Sequence, residues 1–317
     1  MNKIEESSIL KYLSEMSFDY RETLNIPESM NFGAEIEFMV PQRNDIERVF
    51  RRVMLSQDKN KKYYKLTADR RVVKYNTGMK TLELKTPILN NKKEDFDSLK
   101  NMMTGIYNDG ILPSNQKGIH VHADMSLLEN NPEYLETLLK IFCIYEHIIF
   151  RFSFGEEDRS NINIASYSRE ISNRLYNYLR KTGKINNFYK CLSELRELFN
   201  CKSYAINFHQ KDLNCKSDTI EIRPFNSSFN PIIIQNDINF VLSMINNIIS
   251  NNVDLELLDY RFSEHDNGFY VKESYSNLHL SDAIEFSDLI FNEEIDKDYF
   301  LRQYAIKDNP RKKKLVI

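Results

Sequence analysis

The sequence lacks the patterns that identify several common classes of protein. It has no tryptophan, and its four cysteines are widely and irregularly spaced without a C-x-x-C pair. In a long chain this spacing argues against both a disulfide framework and a zinc site, so we expect free, partly buried thiols. No apolar run approaches the ~18 residues that a membrane span needs, and the acidic, interrupted N-terminus does not resemble a signal peptide. We therefore expect a cytoplasmic protein that has no membrane partner.

The charge balance argues against a second group of functions. The 317 residues include 43 Lys and Arg and 46 Asp and Glu, for a net charge of −3. This balance provides no general attraction for nucleic acid or for an anionic membrane. The phosphate-binding loops G-x-x-x-x-G-K-[ST] and G-x-G-x-x-G are both absent. A nucleotide, if bound, would then be held through bridging cations and arginines.

Periodicity predicts both strands and helices. Two apolar stretches with helical spacing, one starting at Pro132 and one spanning Pro231 to Ile249, predict long helices that cover a sheet. The predicted strands are Asn31–Val40, Tyr63–Leu66, Thr81–Lys85, Gly118–Met125, Tyr204–Phe208 and Asp218–Phe225. Most of them have one apolar and one ionic face, whereas central parallel strands are normally apolar on both faces. The pattern therefore favours an antiparallel or mixed sheet with helices on its outer side, an α+β fold.

The ionic faces of these strands carry one kind of chemistry. Because side chains alternate across a strand, residues two apart share a face. The face collects Glu35, Glu37, Glu83, His120, His122, Glu221 and Arg223. A single E-x-E is routine on a solvated sheet face, but such a face usually mixes residue types and pairs opposite charges across strands. Glutamates gathered on one concave surface repel one another, and a divalent cation removes that conflict. Carboxylates with one or two imidazoles suit Mg²⁺ or Mn²⁺.

Other residues near these strands support a ligand site. Gly33 precedes the E-x-E and Gly118 precedes the H-x-H, and a glycine in or beside a strand often marks a bulge or the close approach of a ligand. Arg151 and Arg159 follow the first long helix and could approach the site from its rim. Surface ion pairs explain these two arginines equally well.

Five segments in a fixed order carry a family resemblance. They are F-G-A-E-I-E-F at 32–38, L-E-L-K-T-P-I-L at 82–89, G-I-H-V-H-A-D at 118–124, Y-A-I-N at 204–207 and T-I-E-I-R-P-F at 219–225. Together with Asn230-Pro231, they resemble the amidoligase family of the glutamine synthetase superfamily, over about residues 31–250. The resemblance implies a glutamine synthetase-like curved antiparallel sheet, or half-barrel, whose concave face binds ATP and two divalent metals. We expect a peripheral helical arm over 1–30, a catalytic domain over 31–260 and a C-terminal extension with a basic tail over 261–317.

The resemblance also implies roles for individual residues. The metal ligands would be Glu35, Glu37, Glu83, His120 and Glu221. His122 would lie near the nucleotide, and Arg223 would contact phosphate and stabilise the transferring phosphoryl group. Asn207 and Arg159 would be further polar contacts to the nucleotide. Glu35, Glu221 and Arg223 would be the catalytic residues. Asp69, which is followed by two arginines, departs from the family pattern, so its role stays open.

The expected function is an ATP- and Mg²⁺-dependent (or Mn²⁺-dependent) ligase that joins a carboxylate to an amine through an acyl phosphate. The carboxylate would belong to a peptide, a protein or an amino acid, and the oligomeric state is open, a homo-oligomer included. Three alternatives stay open. One is a glutamine synthetase-like phosphotransferase without ligation, and another is a metal-dependent hydrolase using His120 and His122. The third is a non-catalytic binding module.

Overall fold

The chain folds into one antiparallel sheet covered by a layer of helices. A computed structural model describes residue 1 and residues 3–40, 43–55, 63–68, 80–111, 113, 118–154, 171–200, 203–209, 219–264 and 277–306. The strands are β1 Asn31–Val40, β2 Lys65–Ala68, β3 Lys80–Lys85, β4 Leu89–Asn90, β5 Gly118–Asp124, β6 Ile206–His209 and β7 Thr219–Asn226. The helices are α1 Lys3–Glu15, α2 Arg43–Leu55, α3 Lys93–Asn108, α4 Ser126–Glu129, α5 Pro132–Phe152, α6 Ser172–Thr182, α7 Phe188–Leu198, α8 Pro231–Ile249, α9 Leu255–Ser263, α10 Leu280–Ile290 and α11 Glu294–Ala305.

The sheet is open rather than closed into a barrel. Its strand order is β2-β3-β1-β5-β7-β6, with β4 paired to the start of β1. Each of these pairings is antiparallel. The predicted α+β class is therefore confirmed, with an antiparallel sheet. The central strands β1 and β5 carry the E-x-E and the H-x-H, so these two motifs lie side by side.

The apolar faces of the strands form the floor of the core. Ile36, Leu84, Val121 and Ile222 are fully buried on this face, where α8 packs on β5, α5 on β7 and α2 on β1. The predicted bounds of β1 are confirmed, and β3 begins one residue earlier than predicted. β2 lies later in the chain than predicted, over Lys65–Ala68, because its pairing with β3 fixes its register.

Polar residues at their N-termini define the two long helices. Asn131 accepts a hydrogen bond from the backbone N–H of Glu133 at the start of α5. Asn230 accepts one from Ile232 at the start of α8. Each cap is followed directly by proline at the first helical position, where the missing N–H costs nothing. The predicted start of α5 and both ends of α8 are confirmed.

α8 is the central helix of the core. It alone among the helices of the described residues is long and apolar enough to cross a membrane by composition, and 83 % of that stretch is buried inside the protein. Its buried Asn236 donates to Gln303, and Asn239 donates to Asp296, both on α11. A helix that is mostly covered by protein and whose buried amides find partners on a neighbouring helix is typical of a globular core. The cytoplasmic location stays a prediction.

Six helices of the described residues lie in segments where the sequence showed no readable pattern: α2, α6, α7, α9, α10 and α11. Two of them, α10 and α11, extend the core, since Phe300 of α11 stacks on Phe152 of α5 with ring centroids 4.7 Å apart and packs edge-on against Phe286 of α10. Tyr12 of α1 donates to Asp298 of α11 over 2.6 Å, which joins the N-terminal arm to the same layer. The domain boundaries at 30 and 260 stay a prediction, and the basic tail lies outside the described residues. Cys143 and Cys191 are buried thiols that form no disulfide among the described residues, as predicted. Cys201 and Cys215 also lie outside the described residues.

Candidate metal and active site

The strand register places the predicted site residues in adjacent rows on the ionic face. Glu35 of β1 lies opposite His120 of β5 on one side and Lys85 of β3 on the other. Glu37 lies opposite Glu83. Directly opposed side chains are close enough to interact. The register therefore brings together ionic residues that are separated by up to 85 positions in the chain.

A second row runs through the other half of the sheet. Glu221 of β7 lies opposite His122 on β5 and Asn207 on β6. The amide of Asn207 donates to Oε2 of Glu221 over 3.2 Å, and both side chains are buried. Nδ1 of His122 lies 3.2 Å from the hydroxyl of Thr219, which fixes the ring on that side. The two rows meet at His120, whose imidazole lies close to both Glu35 and Glu221.

A β-bulge on β7 sets the place of Arg223. Ile119 pairs with Phe225, whereas Val121 pairs with Ile222. His120 alone therefore faces two residues, Arg223 and Pro224. Proline is tolerated here because a bulge residue does not need to donate to the ladder. The bulge keeps Arg223 on the ionic face while it turns Phe225 into the core.

His120 is the centre of the candidate metal site. Its Nδ1 atom lies 3.4 Å from Glu35 Oε2 and 3.3 Å from Glu221 Oε1, and its Nε2 atom lies 4.0 Å from Glu37 Oε1. The ligand atoms form two groups, Glu35–His120–Glu221 and Glu37–Glu83–His120, each within 4.8 Å. Carboxylate oxygens combined with an imidazole fit a divalent cation such as Mg²⁺ or Mn²⁺.

The carboxylates have perturbed acidities. Burial by itself would raise the pKa of Glu35, but hydrogen bonds to His120, His122 and Glu83 outweigh it and hold that pKa well below its usual range. Burial raises the pKa of Glu83, and the neighbouring Glu35 carboxylate raises it further. One carboxylate of this pair is thus held ionised while the other resists ionisation. Such a split is typical of like charges that share a site.

Two cations flank the carboxylates. Arg223 donates from Nη1 to Glu221 Oε1, and the same nitrogen lies 3.3 Å from His120 Nδ1. On the opposite side, Lys85 donates to Glu35 and lies 3.3 Å from Glu83 Oε2. Burial would lower the pKa of Lys85, whereas its bond to Glu35 raises it, and the net direction is upward. Lys85 is therefore held charged beside the site.

A cavity of about 360 Å³ adjoins the carboxylates, and we call it the Gly33 pocket. The residues that line it include Gly33, Glu35, Lys85, Thr86, His122 and Asp124. A Cβ atom at Gly33 would lie 3.8 Å from Thr86 Oγ1 and 3.9 Å from His122 Cβ, so the glycine leaves room beside these side chains. The volume of the Gly33 pocket lies within the range of small-molecule sites.

Every predicted site residue that the structure describes lies on the ionic face. The remaining one, Arg159, lies outside the described residues, as does Asp69. Arg151, which the sequence suggested as a rim arginine, is instead buried with its guanidinium 5.3 Å above the ring of Tyr304 on α11. Lys85 had no role predicted from the sequence, although its place two residues after Glu83 puts it on the same face.

A family model described as "Putative amidoligase enzyme" matches residues 28–245, more than half of the chain. No curated protein matches. The matched range contains β1 to β7, and therefore all the residues of the two candidate metal groups.

Proposed function

The chain belongs to this amidoligase family, and on that premise we propose that it is an ATP- and Mg²⁺-dependent carboxylate–amine ligase. The reaction would form an amide or isopeptide bond, and Mn²⁺ would also serve as the metal. The two substrates would be an amine and the carboxylate of a peptide, protein or amino acid. We further propose that the open antiparallel sheet is a glutamine synthetase-like half-barrel, with the ionic face as its concave side.

One observation carries the proposal. Four carboxylates surround a single imidazole, that of His120, in two groups whose ligand atoms lie close enough together to hold a cation each. His120 and Glu221 have only 4 % and 2 % of their surface exposed. Burying this much like charge is costly unless cations compensate for it. Ligase chemistry with ATP needs such a compensated site, because phosphate groups bring further negative charge.

The roles of the residues follow from their positions. Glu35, Glu37, Glu83, His120 and Glu221 would hold two divalent ions, which neutralise phosphate charge when bound. Arg223 would stabilise the oxygens of the transferring phosphoryl group, and His122 would contact the nucleotide. Asn207 orients Glu221 through its hydrogen bond. Arg159 stays a proposed nucleotide contact.

Activation explains why ATP is needed. An ionised carboxylate resists attack by an amine, because it is anionic and lacks a good leaving group. In the proposed reaction a substrate carboxylate oxygen bonds to the γ-phosphorus of ATP, and ADP leaves. The amine nitrogen then attacks the acyl carbon, loses a proton, and phosphate departs. The protein contributes positioning and charge stabilisation, so no nucleophilic side chain is required.

The donor set distinguishes the proposal from a zinc hydrolase. Hydrolytic zinc sites typically combine several imidazole or thiolate ligands with an open position. Here both candidate groups contain two carboxylates and share one imidazole, and neither includes His122. This composition favours Mg²⁺ or Mn²⁺. A phosphotransferase would use the same groups, so the product of the reaction decides between it and a ligase.

The proposal is tested by ligand binding and then by product analysis. With Mg²⁺ and a non-hydrolysable ATP analogue, the wild-type protein should melt at a higher temperature than with either ligand alone. The Glu35→Gln variant should lose this shift, whereas Glu28→Gln, a surface position with 73 % of its side chain exposed, should keep it. No shift in the wild-type protein would reject a nucleotide site. A phosphorylated product without an amide would favour the phosphotransferase.

A further inference from the structure

Lys85 occupies the place where the two candidate metal groups adjoin. Its ammonium donates to Glu35, which belongs to one group, and lies 3.3 Å from Glu83 of the other. Its side chain also lines the Gly33 pocket, with 36 % of its surface exposed. One lysine therefore contacts both the carboxylates and the cavity beside them.

The charge balance of the site changes when metal binds. The two groups contain four different carboxylates, and two divalent ions would neutralise them without help from the protein. Lys85 would then face a cation rather than an unpaired carboxylate, so its attraction to Glu35 and Glu83 would be lost. A lysine has a flexible stem and three donors, so its ammonium readily takes a new anionic partner.

We propose that Lys85 binds the carboxylate substrate in the Gly33 pocket once divalent ions have engaged Glu35 and Glu83. This inference rests on the proposed ligase function and assigns a residue and a cavity to one of its two substrates. The lysine would hold the anionic group next to Glu35, and therefore beside the metal and the phosphates. The ligand is an aliphatic carboxylate small enough for a cavity of about 360 Å³.

The pocket has room and suitable polarity for such a group. Gly33 leaves the floor open, and the hydroxyl of Thr86 is held by its bond from the backbone N–H of Ala34 over 2.9 Å. Asp124 would repel an anion, but it accepts a hydrogen bond from the backbone N–H of Ser126 over 3.0 Å. Lys85 therefore determines the preference of the pocket for a carboxylate.

The neighbouring Lys65 provides a matched control. It lies directly opposite Lys85 on β2 and is exposed to solvent. Among the described residues it makes no ion pair with the carboxylates. Both lysines thus share the same face of the sheet and differ in their contact with Glu35 and Glu83.

The first experiment measures how fast each lysine reacts in the intact wild-type protein. A limiting amount of an amine-reactive N-hydroxysuccinimidyl ester is added, and mass spectrometry of peptides gives the modified fraction at Lys85 and Lys65. Lys85 should react slowly in the metal-free protein and several-fold faster with Mg²⁺ and the ATP analogue. Acetate, a small aliphatic carboxylate, should slow it again, compared with sodium chloride at equal ionic strength. Lys65 should not change in either step.

The second experiment uses substitution and reads metal affinity instead of reactivity. Lys85→Met removes a cation that competes with the metal, so Mn²⁺ should bind about tenfold tighter, as one nearby charge commonly shifts an ionic equilibrium by this much. Lys65→Met should bind Mn²⁺ like the wild type. Weaker or unchanged Mn²⁺ binding by Lys85→Met would overturn the inference, because it would show that Lys85 supports the carboxylates without competing with the ion.

The outcomes separate this inference from the proposed function. If the wild-type protein binds neither Mn²⁺ nor the ATP analogue, the ligase proposal fails and the role of Lys85 fails with it. If both bind but the reactivity of Lys85 stays constant, only the role of Lys85 is rejected. If Lys85 is released and acetate has no effect beyond that of chloride, carboxylate binding at the pocket is rejected.

Discussion

The Nδ1 atom of His120 lies 3.4 Å from Oε2 of Glu35, the residue directly opposite it on the neighbouring strand. The same imidazole belongs to both candidate metal groups, whereas His122, two residues along the same face, belongs to neither. Two histidines of one motif thus have different surroundings. This difference allows their roles to be separated by experiment.

His120→Asn should weaken Mn²⁺ binding at both positions. We expect a loss of more than about 100-fold, beyond what the removal of an outer-shell partner usually costs. His122→Asn is the matched control and should retain the number of bound ions. Isothermal titration calorimetry in the absence of nucleotide measures both affinity and stoichiometry. Equal losses in the two variants would contradict the assignment of His120 as the shared ligand.

Asn207→Leu should weaken metal binding although Asn207 is not a ligand. Its amide holds Oε2 of the buried Glu221, and leucine would leave that oxygen without this donor. Loss of an outer-shell hydrogen bond of this kind typically costs about 10- to 100-fold in affinity. Asn101→Leu, at an exposed position of α3, is the control. If Asn207→Leu bound Mn²⁺ as tightly as the wild type, the positioning role of this amide would be wrong.

The two glycines that precede the motifs should respond differently to alanine. A Cβ at Gly118 would lie 3.1 Å from the carbonyl oxygen of Phe225, so the neighbouring strand must shift by a few tenths of an ångström, and this shift occurs next to His120, whose Nε2 atom would lie 3.5 Å away. At Gly33 the nearest atoms are 3.8 Å away or more, which is ordinary contact. Gly118→Ala should therefore weaken Mn²⁺ binding, and Gly33→Ala should leave it near the wild-type value. Gly118→Ala should also have a lower melting temperature than Gly33→Ala. A larger loss of Mn²⁺ binding or of melting temperature in Gly33→Ala would contradict the close approach at Gly118.

The buried Asp237 of α8 should make the stability of the wild-type protein fall as pH rises. Burial raises the pKa of this carboxyl well above its usual range, and a hydrogen bond from Gln303 only partly offsets that. The folded state therefore binds a proton that the unfolded state releases near its usual pKa of about 3.9. The stabilisation that comes from this difference in pKa is fully present below the unfolded-state value. It is lost as the pH rises toward and through the folded-state pKa.

Asp237→Asn removes this ionisation, so the variant should not lose stability at this position as the pH rises. Its stability relative to the wild type should therefore increase with pH. We expect the free energy of unfolding of the variant to match or fall below that of the wild type near pH 4 and to exceed it at pH 8. Urea unfolding at a series of pH values measures the difference. A constant difference across the series would show that Asp237 does not titrate in this way.

The ionic face was predictable, and its pairing was not. Alternation alone placed Glu35 and Glu37 on one side of β1 and gave the bounds of that strand. The sequence did not show which carboxylate meets which histidine, because register depends on contacts between distant strands. The contact of Lys85 with Glu35 depends on that register, and a family motif does not reveal it.

The helix α11 was not predicted, because it buries polar residues. α11 contains Asp296 and Gln303, which bond to α8 inside the core and make the segment appear solvent-exposed in sequence. Its apolar signal is weak for that reason. α8 was readable because its isoleucines and valine repeat at helical spacing and its cap is an Asn-Pro pair.

The bulge formed by Arg223 and Pro224 reverses which face of the sheet the odd-numbered residues of β7 occupy. Before it, odd-numbered residues of β7 face the candidate metal site; after it, the odd-numbered Phe225 faces the helices. Without the bulge, strict alternation of the same eight residues would put Phe225 on the face of Glu221 and Arg223, among the carboxylates. Removing Pro224 would instead remove the extra residue and leave Arg223 on the ionic face and Phe225 in the core. A relative without the bulge is therefore expected to have one residue fewer between its arginine and the next core residue.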